Sequence, residues 1–212
     1  MEILKKISDS LLNCDDEAVG SLTGQALEQG VAPKEILDNG LIAPMDVVGE
    51  RFRQHEIFLP DVLMAAKAMY AGLDQLKPHL MKEGIPSIGK VVIGSVQGDL
   101  HDIGKNLVGI MLKGAGFEVI DLGNDVAPEK FVNTAKEQNA SVIGMSALLT
   151  TTMPAMAKVV NLVKEQGLDG QVKTIVGGAP VSEEFAREIG ADSHGYDAAN
   201  AVERVKSLIG VD

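Results

Sequence analysis

One short stretch of the chain carries the residues best suited to chemistry: Gly98-Asp99-Leu100-His101-Asp102-Ile103-Gly104-Lys105-Asn106. His101 can offer one ring nitrogen to a metal while Asp99, two residues earlier, accepts the proton of the other ring nitrogen. Gly104 allows a helix to begin close to whatever the loop binds, because glycine has no Cβ. The stretch therefore predicts a ligand-binding loop in which His101 is the candidate metal ligand.

The elements that must position this loop are strands alternating with helices. Apolar runs predict strands at 91–96, 118–122, 142–145 and 172–176, with a short one near 191–196. Amphipathic segments predict helices at 104–115, 127–138, 153–167 and 181–189, and a last helix from Ala198. Asp197 is expected to cap that last helix.

Such alternation is typical of an α/β fold with a doubly wound, flavodoxin-like parallel sheet. The ligand crevice of such a sheet lies at the carboxyl ends of the strands. Gly98, Ser146 and Gly177 each follow or end a predicted strand. We therefore expect their loops to meet at one edge of the sheet.

The first part of the chain, to about residue 85, is predicted to be an N-terminal helical bundle. Its apolar residues recur at three- and four-residue spacings: Ile3, Ile7, Leu11 and Leu12, then Val19, Leu22, Ala26 and Leu27. Asp15 or Asp16 is expected to cap the second helix, and Leu59-Pro60 to open a long one. The Gly- and Pro-containing segment 84–89 marks the boundary between predicted domains 1–88 and 89–212.

The composition limits the function classes. The 212 residues carry a formal net charge of −11, which argues against a nucleic-acid partner. The single cysteine, Cys14, cannot form an internal disulfide, and the N-terminus lacks the apolar core of a secretion signal. No apolar run approaches the roughly 20 residues of a membrane span. We therefore expect a cytoplasmic protein that neither inserts into a membrane nor binds nucleic acid.

The motif resembles a known family, the cobalamin-binding modules of corrinoid methyltransferase systems and of methionine synthase. The signature Asp-x-His-x-x-Gly of that family is matched by Asp99, His101 and Gly104. Later parts of the pattern follow in order: Ser146-Ala147-Leu148 with Thr150, and then Gly177-Gly178. The resemblance covers nearly the whole chain and implies that cobalamin is the cofactor.

The resemblance also implies a role for each matched residue. His101 would be the lower axial ligand of cobalt after the cofactor's dimethylbenzimidazole base has swung into a slot in the protein. Asp99 would accept the other imidazole proton, and Thr152 aligns with the hydroxyl residue that continues this relay in methionine synthase; these three are the expected catalytic residues. The expected cofactor-binding set is Phe52, Leu59, Gly98, Asp99, His101, Asp102, Ile103, Gly104, Ser146, Leu148, Thr150, Thr152, Gly177 and Gly178.

Ordinary structural roles stand beside these assignments. His101 can be a packing histidine, Asp99 a helix cap, and Gly177 and Gly178 turn glycines. Lys105 is interpreted as a solvated helix residue. The serine and threonines near 146–152 can form a common polar cluster at the end of a strand.

A third matched element lies in the helical half, where a phenylalanine precedes Phe-Leu-Pro by six residues: Phe52, then Phe58-Leu59-Pro60. The resemblance implies that Phe52 and Leu59 cover the upper face of the corrin. Apolar side chains there would keep water and dioxygen from a reactive metal–alkyl bond. The alternative is that they belong to the core of the bundle.

The function implied by the resemblance is that of a corrinoid methyl carrier. It would accept a methyl group on Co(I) of bound cobalamin from a substrate-specific methyltransferase. A second methyltransferase would pass the group to coenzyme M or tetrahydrofolate, and a reductive activase would restore oxidised cofactor. On its own the chain would not be catalytic.

Three other classes are compared with the carrier. Metallophosphoesterases also carry a Gly-Asp-x-His motif after a strand, but they need further Asp, Asn and His ligands to hold two metals. This chain has only four histidines, which argues against that class. A cobalamin-binding sensor would add a DNA-binding unit. An adenosylcobalamin mutase subunit shares the Asp-x-His-x-x-Gly loop but generally lacks the Phe-Leu-Pro element.

Overall fold

A computed structural model describes residues 2–83 and 87–211; in 81–83 it describes the backbone alone. The chain divides into two compact units. The helical unit comprises Met1–Pro86 with Gly114–Gly116, and the sheet unit comprises Ser87–Lys113 and Phe117–Asp212. Of the predicted boundary segment 84–89, residues 84–86 lie outside the described part of the chain.

The helical unit contains α1 (Glu2–Leu12), α2 (Asp16–Glu28), α3 (Pro33–Glu35), a π-helical segment (Ile36–Ile42), α4 (Ala43–Arg53) and α5 (Leu59–Glu83). The predicted helical region is confirmed, whereas the π-helical segment was not predicted. Asp15 is the cap of α2, since its carboxylate accepts from the N–H of Ala18 at 3.0 Å. Ile7, Leu11 and Val19 are fully buried, as their helical spacing predicts.

The sheet unit is built on five parallel strands: β1 (Lys90–Ser95), β2 (Glu118–Asp121), β3 (Val142–Ser146), β4 (Lys173–Gly177) and β5 (Ser193–Gly195). Their order in the sheet is β2-β1-β3-β4-β5, and each neighbouring pair is parallel. The predicted α/β fold with a doubly wound sheet is confirmed, and every predicted strand is present to within about two residues at either end.

Five helices follow the strands: α6 (Ile103–Gly114), α7 (Pro128–Gln138), α8 (Pro154–Glu165), α9 (Glu183–Ile189) and α10 (Ala198–Leu208). Asp197 caps α10 as expected, because its carboxylate accepts from the N–H of Asn200 at 2.7 Å. The buried core between sheet and helices is almost entirely aliphatic, with Phe131 as its only fully buried aromatic side chain among the described residues.

The strand order decides where the candidate residues meet. The chain leaves β1 to form β2 on one side of it and β3 on the other, so β1 lies at the topological switch point. In register, Ser95 pairs with Ser146, and Ser146 pairs with Gly177. The loops after β1, β3 and β4 therefore begin at the same edge of the sheet.

In the described parts of the chain, no helix is both long enough and apolar enough to cross a membrane.

Candidate cofactor-binding site

The loop after β1 places a fully buried carboxylate against a half-exposed imidazole. Asp99 has no exposed side-chain surface, whereas 51% of the His101 side chain is exposed. Oδ1 of Asp99 accepts from the backbone N–H of His101 at 3.1 Å and lies 2.8 Å from Nδ1 of its ring. Both contacts fix the orientation of the imidazole relative to the loop.

The second carboxylate oxygen of Asp99 bonds to the loop after β3. Oδ2 accepts from the hydroxyl of Thr152 at 2.7 Å, and from the backbone N–H groups of Leu148 at 2.7 Å and Leu149 at 3.3 Å. The carboxylate therefore joins two loops rather than capping the helix that follows it. The structure brings together the three residues predicted to form a relay.

These contacts determine the charge of Asp99. Burial by itself would raise the pKa of Asp99, but hydrogen bonds from Thr152, Leu148 and His101 outweigh it and hold this pKa well below its usual range. Asp99 is therefore ionised at neutral pH and accepts from a protonated Nδ1 of His101. The lone pair of a neutral imidazole then lies on Nε2, which is the nitrogen available to a metal.

Thr152 provides a hydroxyl with a choice of acceptor. Its Oγ1 lies 2.7 Å from Oδ2 of Asp99 and 2.8 Å from the carbonyl oxygen of Leu149. A hydroxyl carries one proton, and an ionised carboxylate is the stronger acceptor. The buried Thr152 thus stabilises the charged form of Asp99. Its hydroxyl lies where the relay hydroxyl was predicted.

Sequence reasoning missed three residues that hold the backbone of the loop. The hydroxyl of Ser95 donates to the carbonyl oxygen of His101 at 2.6 Å. Asp125 and Asn124, in the loop after β2, bond to the backbone of Gly98 and Leu100. Their position at or just after the carboxyl ends of two strands is the one signal in the sequence that could have identified them.

Lys105 does not fit the interpretation of a solvated helix residue. Its side chain is only 2% exposed, and its Nζ lies 2.6 Å from both carboxylate oxygens of Asp121. The carboxylate of Asp121 also accepts from the N–H of Gly123. Lys105 therefore joins α6 to the end of β2 by a charge-assisted contact.

The glycines of the predicted set have different reasons to be glycine. A Cβ on Gly104 would meet no other atom within 4 Å, so open space lies beside the start of α6. A Cβ on Gly178 would lie 1.9 Å from the carbonyl oxygen of Ala147, and one on Gly177 would lie 2.8 Å from that of Gly195. Close contact with the protein's own backbone therefore explains why Gly177 and Gly178 are glycines. Their contact with a cofactor stays a prediction.

The other predicted residues of the sheet unit lie along the same edge. Ser146 ends β3, and Thr150 is exposed in the loop that follows. Gly98 has a φ of +84° in the His101 loop. Asp102 lies directly before α6, where its carbonyl oxygen accepts from the N–H of Asn106 at 2.7 Å. Exposed apolar side chains flank His101 and the β3 loop: Leu100, Ile103, Leu148 and Leu149.

Phe52 and Leu59 lie in the helical unit, in α4 and at the start of α5. Both are partly exposed, and neither belongs to the buried core of that unit. The side chain of neighbouring Phe58 is largely exposed. Neither Phe52 nor Leu59 is therefore a fully buried core residue, and their role above a corrin stays a prediction.

The chain matches two family models, each of which is described as a B12 binding domain. One match covers residues 89–205 and the other covers residues 3–77. The chain belongs to the B12 binding domain family. The first match contains the Asp99–His101–Thr152 network, and the second contains Phe52 and Leu59. Binding of a cobalamin or other corrinoid cofactor, predicted from the motif, is thereby supported.

Two curated relatives of this B12-binding chain match almost its full length. It is 45% identical over 210 residues to trimethylamine corrinoid protein 1 of Methanosarcina mazei, covering 98% of this chain and 97% of the relative. It is also 45% identical over 210 residues to the dimethylamine corrinoid protein of Methanosarcina barkeri, covering 98% of each.

Two solved structures resemble the B12-binding chain closely. The methanol:cobalamin methyltransferase complex of Methanosarcina barkeri contains a chain with a TM-score of 0.88 at 30% identity, covering 99% of this chain and 80% of that one. A cobalamin-binding protein from Desulfitobacterium hafniense has a TM-score of 0.79 at 33% identity, covering 97% and 98%.

The residues present fit a B12 cofactor. The imidazole of His101 is half-exposed with Nδ1 already engaged by Asp99, which leaves Nε2 for a metal. Open space lies at Gly104, where a bulky group can approach the backbone. Exposed leucine and isoleucine side chains beside His101 provide an apolar surface for a macrocycle.

Proposed function

We propose that this chain is the corrinoid methyl carrier of a methyltransferase system for methylated amines. It would accept a methyl group from a substrate-specific methyltransferase and deliver it to a second methyltransferase that uses coenzyme M or tetrahydrofolate. The observation that carries the proposal is the His101–Asp99–Thr152 network at the sheet edge, within a chain that matches methylamine corrinoid proteins over nearly their whole length.

Each residue of the network has a defined task in this function. His101 would hold the cobalt through Nε2, while Asp99 keeps the proton of the ring on Nδ1. Thr152 and the N–H groups of Leu148 and Leu149 keep Asp99 ionised, so the imidazole stays a strong donor. Bound cobalamin supplies the cobalt that takes up and gives up the methyl group.

Other groups of the chain would set the surroundings of the cofactor. Leu100 and Ile103, both exposed beside His101, would pack on the lower face of the macrocycle and exclude water from it. Phe52 and Leu59 would cover its upper face and move aside for a partner. A reductive activase is proposed as the third partner, because cofactor that has been oxidised must be reduced again before it can accept a methyl group.

The test uses the full chain loaded with cobalamin and reduced. It is mixed with a purified trimethylamine or dimethylamine methyltransferase, with and without the matching amine, and the visible spectrum is followed. We expect a spectral change that requires both enzyme and amine and is reversed when a corrinoid:thiol methyltransferase and coenzyme M are added.

Two outcomes contradict the proposal. No methyl uptake from either amine, by a protein that binds cobalamin normally, overturns the amine carrier. Binding of methylcobalamin no tighter than that of adenosylcobalamin, with cleavage of the cobalt–carbon bond of adenosylcobalamin when a mutase partner and its substrate are present, would instead identify a mutase subunit.

A further inference from the structure

The loop after β2, residues 122–126, holds the backbone of the His101 loop from the β2 side. Oδ1 of Asp125 accepts from the N–H of Gly98 at 2.7 Å, and the N–H of Asp125 donates to the carbonyl oxygen of Asp99 at 2.9 Å. The side-chain amide of Asn124 donates to the carbonyl oxygen of Leu100 at 3.2 Å. Three consecutive residues of the His101 loop are thus bonded to two residues of the β2 loop.

This second loop is itself anchored to β1. The N–H of Ser95 donates to the carbonyl oxygen of Gly123, and the N–H of Val126 donates to the carbonyl oxygen of Ser95, both at 3.0 Å. Val96 and Val126 form a parallel bridge. The loop that carries Asp125 is therefore held in place by its hydrogen bonds to β1.

Asp125 and Thr152 form hydrogen bonds to different groups of Asp99. From the β3 side, Thr152 bonds to the carboxylate of Asp99; from the β2 side, Asp125 bonds to the carbonyl oxygen of Asp99. A rotation of the backbone at Gly98 would move the Asp99 carboxylate, and the imidazole bonded to it would move as well. The carboxylate of Asp125 opposes that rotation because it holds the N–H of Gly98.

We propose that Asp125 is a positioning residue for His101, fixing the backbone of the loop that presents the imidazole to the cofactor. The proposal rests on the proposed function, in which His101 binds cobalt. A metal ligand that must release and rebind returns to the same place only if the loop that carries it is held independently of the metal. Asp125 provides that hold through its hydrogen bonds to the loop backbone, at Gly98 and Asp99.

The backbone conformation of Asp125 decides which substitutions can test the proposal. Its φ is +50°, a left-handed conformation that aspartate, asparagine and glycine tolerate and other residues resist. Asp125→Gly removes the carboxylate but keeps this conformation and the backbone N–H. Asp125→Asn keeps an acceptor oxygen as well. Asn139→Gly is the matched control, since Asn139 has a φ of +52° at the end of α7 and lies outside the site.

The first measurement is amide hydrogen exchange in the cobalamin-free protein. We expect the N–H of Gly98 to exchange at least about tenfold faster in Asp125→Gly, while Asp125→Asn and Asn139→Gly leave it close to wild type. Unchanged exchange at Gly98 in Asp125→Gly overturns the proposal, because the carboxylate would then not hold the loop.

The second measurement uses the same variants loaded with Co(II) cobalamin. We expect Asp125→Gly to bind cobalamin about fivefold more weakly and to show a smaller fraction of histidine-coordinated cobalt by electron paramagnetic resonance, with Asp125→Asn restoring both. Faster exchange at Gly98 with unchanged coordination and affinity also overturns the proposal. A wild-type protein without histidine coordination overturns the proposed function instead, and the wild-type spectrum distinguishes the two failures.

Discussion

The hydroxyl of Thr152 lies 2.7 Å from Oδ2 of Asp99, although 53 residues separate the two in the chain. β1 and β3 are neighbours in the sheet, so the loops that follow them meet at its edge. The hydroxyl stabilises a buried negative charge that in turn orients His101. This contact is the basis of the first two predictions.

Thr152→Val should destabilise the cobalamin-free protein by about 1–3 kcal/mol. Valine keeps the volume and removes the hydroxyl, so the buried carboxylate of Asp99 loses one charge-assisted hydrogen bond. Thr152→Ser keeps the hydroxyl and should lose less than half as much. Urea unfolding at neutral pH measures both variants, and equal stabilities for valine and serine would contradict the assigned contact.

The stability of the cobalamin-free protein should fall in acid because of Asp99. The pKa of Asp99 is lower in the folded protein than in the unfolded chain, where it is about 3.9. The stabilising contribution is therefore fully present above the unfolded pKa and is lost as the pH falls toward the folded pKa. Unfolding free energies between pH 5 and pH 2.5 should decline less steeply in Asp99→Asn than in wild type; parallel curves would rule out this contribution.

His101→Ala should keep much of the cobalamin affinity and lose histidine coordination of cobalt. Burial of the nucleotide is expected to supply most of the binding contacts, whereas His101 supplies the axial nitrogen. The measurement is electron paramagnetic resonance of the Co(II) state with cobalamin carrying 15N only in its dimethylbenzimidazole base. Wild type should give a triplet from protein 14N that the variant lacks, and a 15N doublet in wild type would remove His101 as ligand.

Gly104→Ala should weaken cobalamin binding at least tenfold without destabilising the protein. A Cβ at Gly104 meets no atom of the protein, and alanine is a better helix former than glycine by up to about 1 kcal/mol. Gly170→Ala is the control, because its Cβ also meets nothing within 4 Å and it lies outside the site. Isothermal titration with cobalamin and thermal unfolding separate the effects, and unchanged binding in Gly104→Ala would place the cofactor elsewhere.

For Gly178 we expect the opposite of Gly104: a substitution there should affect the stability of the protein itself. Its Cβ would overlap the carbonyl oxygen of Ala147, and its φ is +125°. Gly178→Val should therefore destabilise the protein even without cobalamin, so loss of binding in that variant would not identify the slot for the base.

Phe52→Ala should leave cobalamin affinity within about twofold of wild type and speed the decay of the methylated cofactor. An apolar side chain above the corrin would exclude water and dioxygen, and its removal would admit both. Absorbance after a light pulse, with and without dioxygen, follows the decay. Identical decay rates in variant and wild type would remove Phe52 from the proposed cap.

The sequence by itself determined the fold class and the identity of the central motif. Continuous apolar runs and helical spacings of three to four residues are local properties, so the strands at 91–96 and 142–145 and the helix from Ala198 could be predicted from neighbouring residues alone. The pair Asp99 and His101 could also be recognised, because two residues of separation suffice for the contact between Asp99 and Nδ1.

Only the tertiary structure decided what surrounds that pair. The bonds from Thr152 and Asp125 depend on which strands neighbour β1, and no local pattern encodes that order. The burial of Lys105 against Asp121 has the same origin, since a charged residue in a helix is usually solvated. Contacts between residues distant in the chain form only when the sheet is assembled, and these contacts set the charge of Asp99 and the orientation of His101.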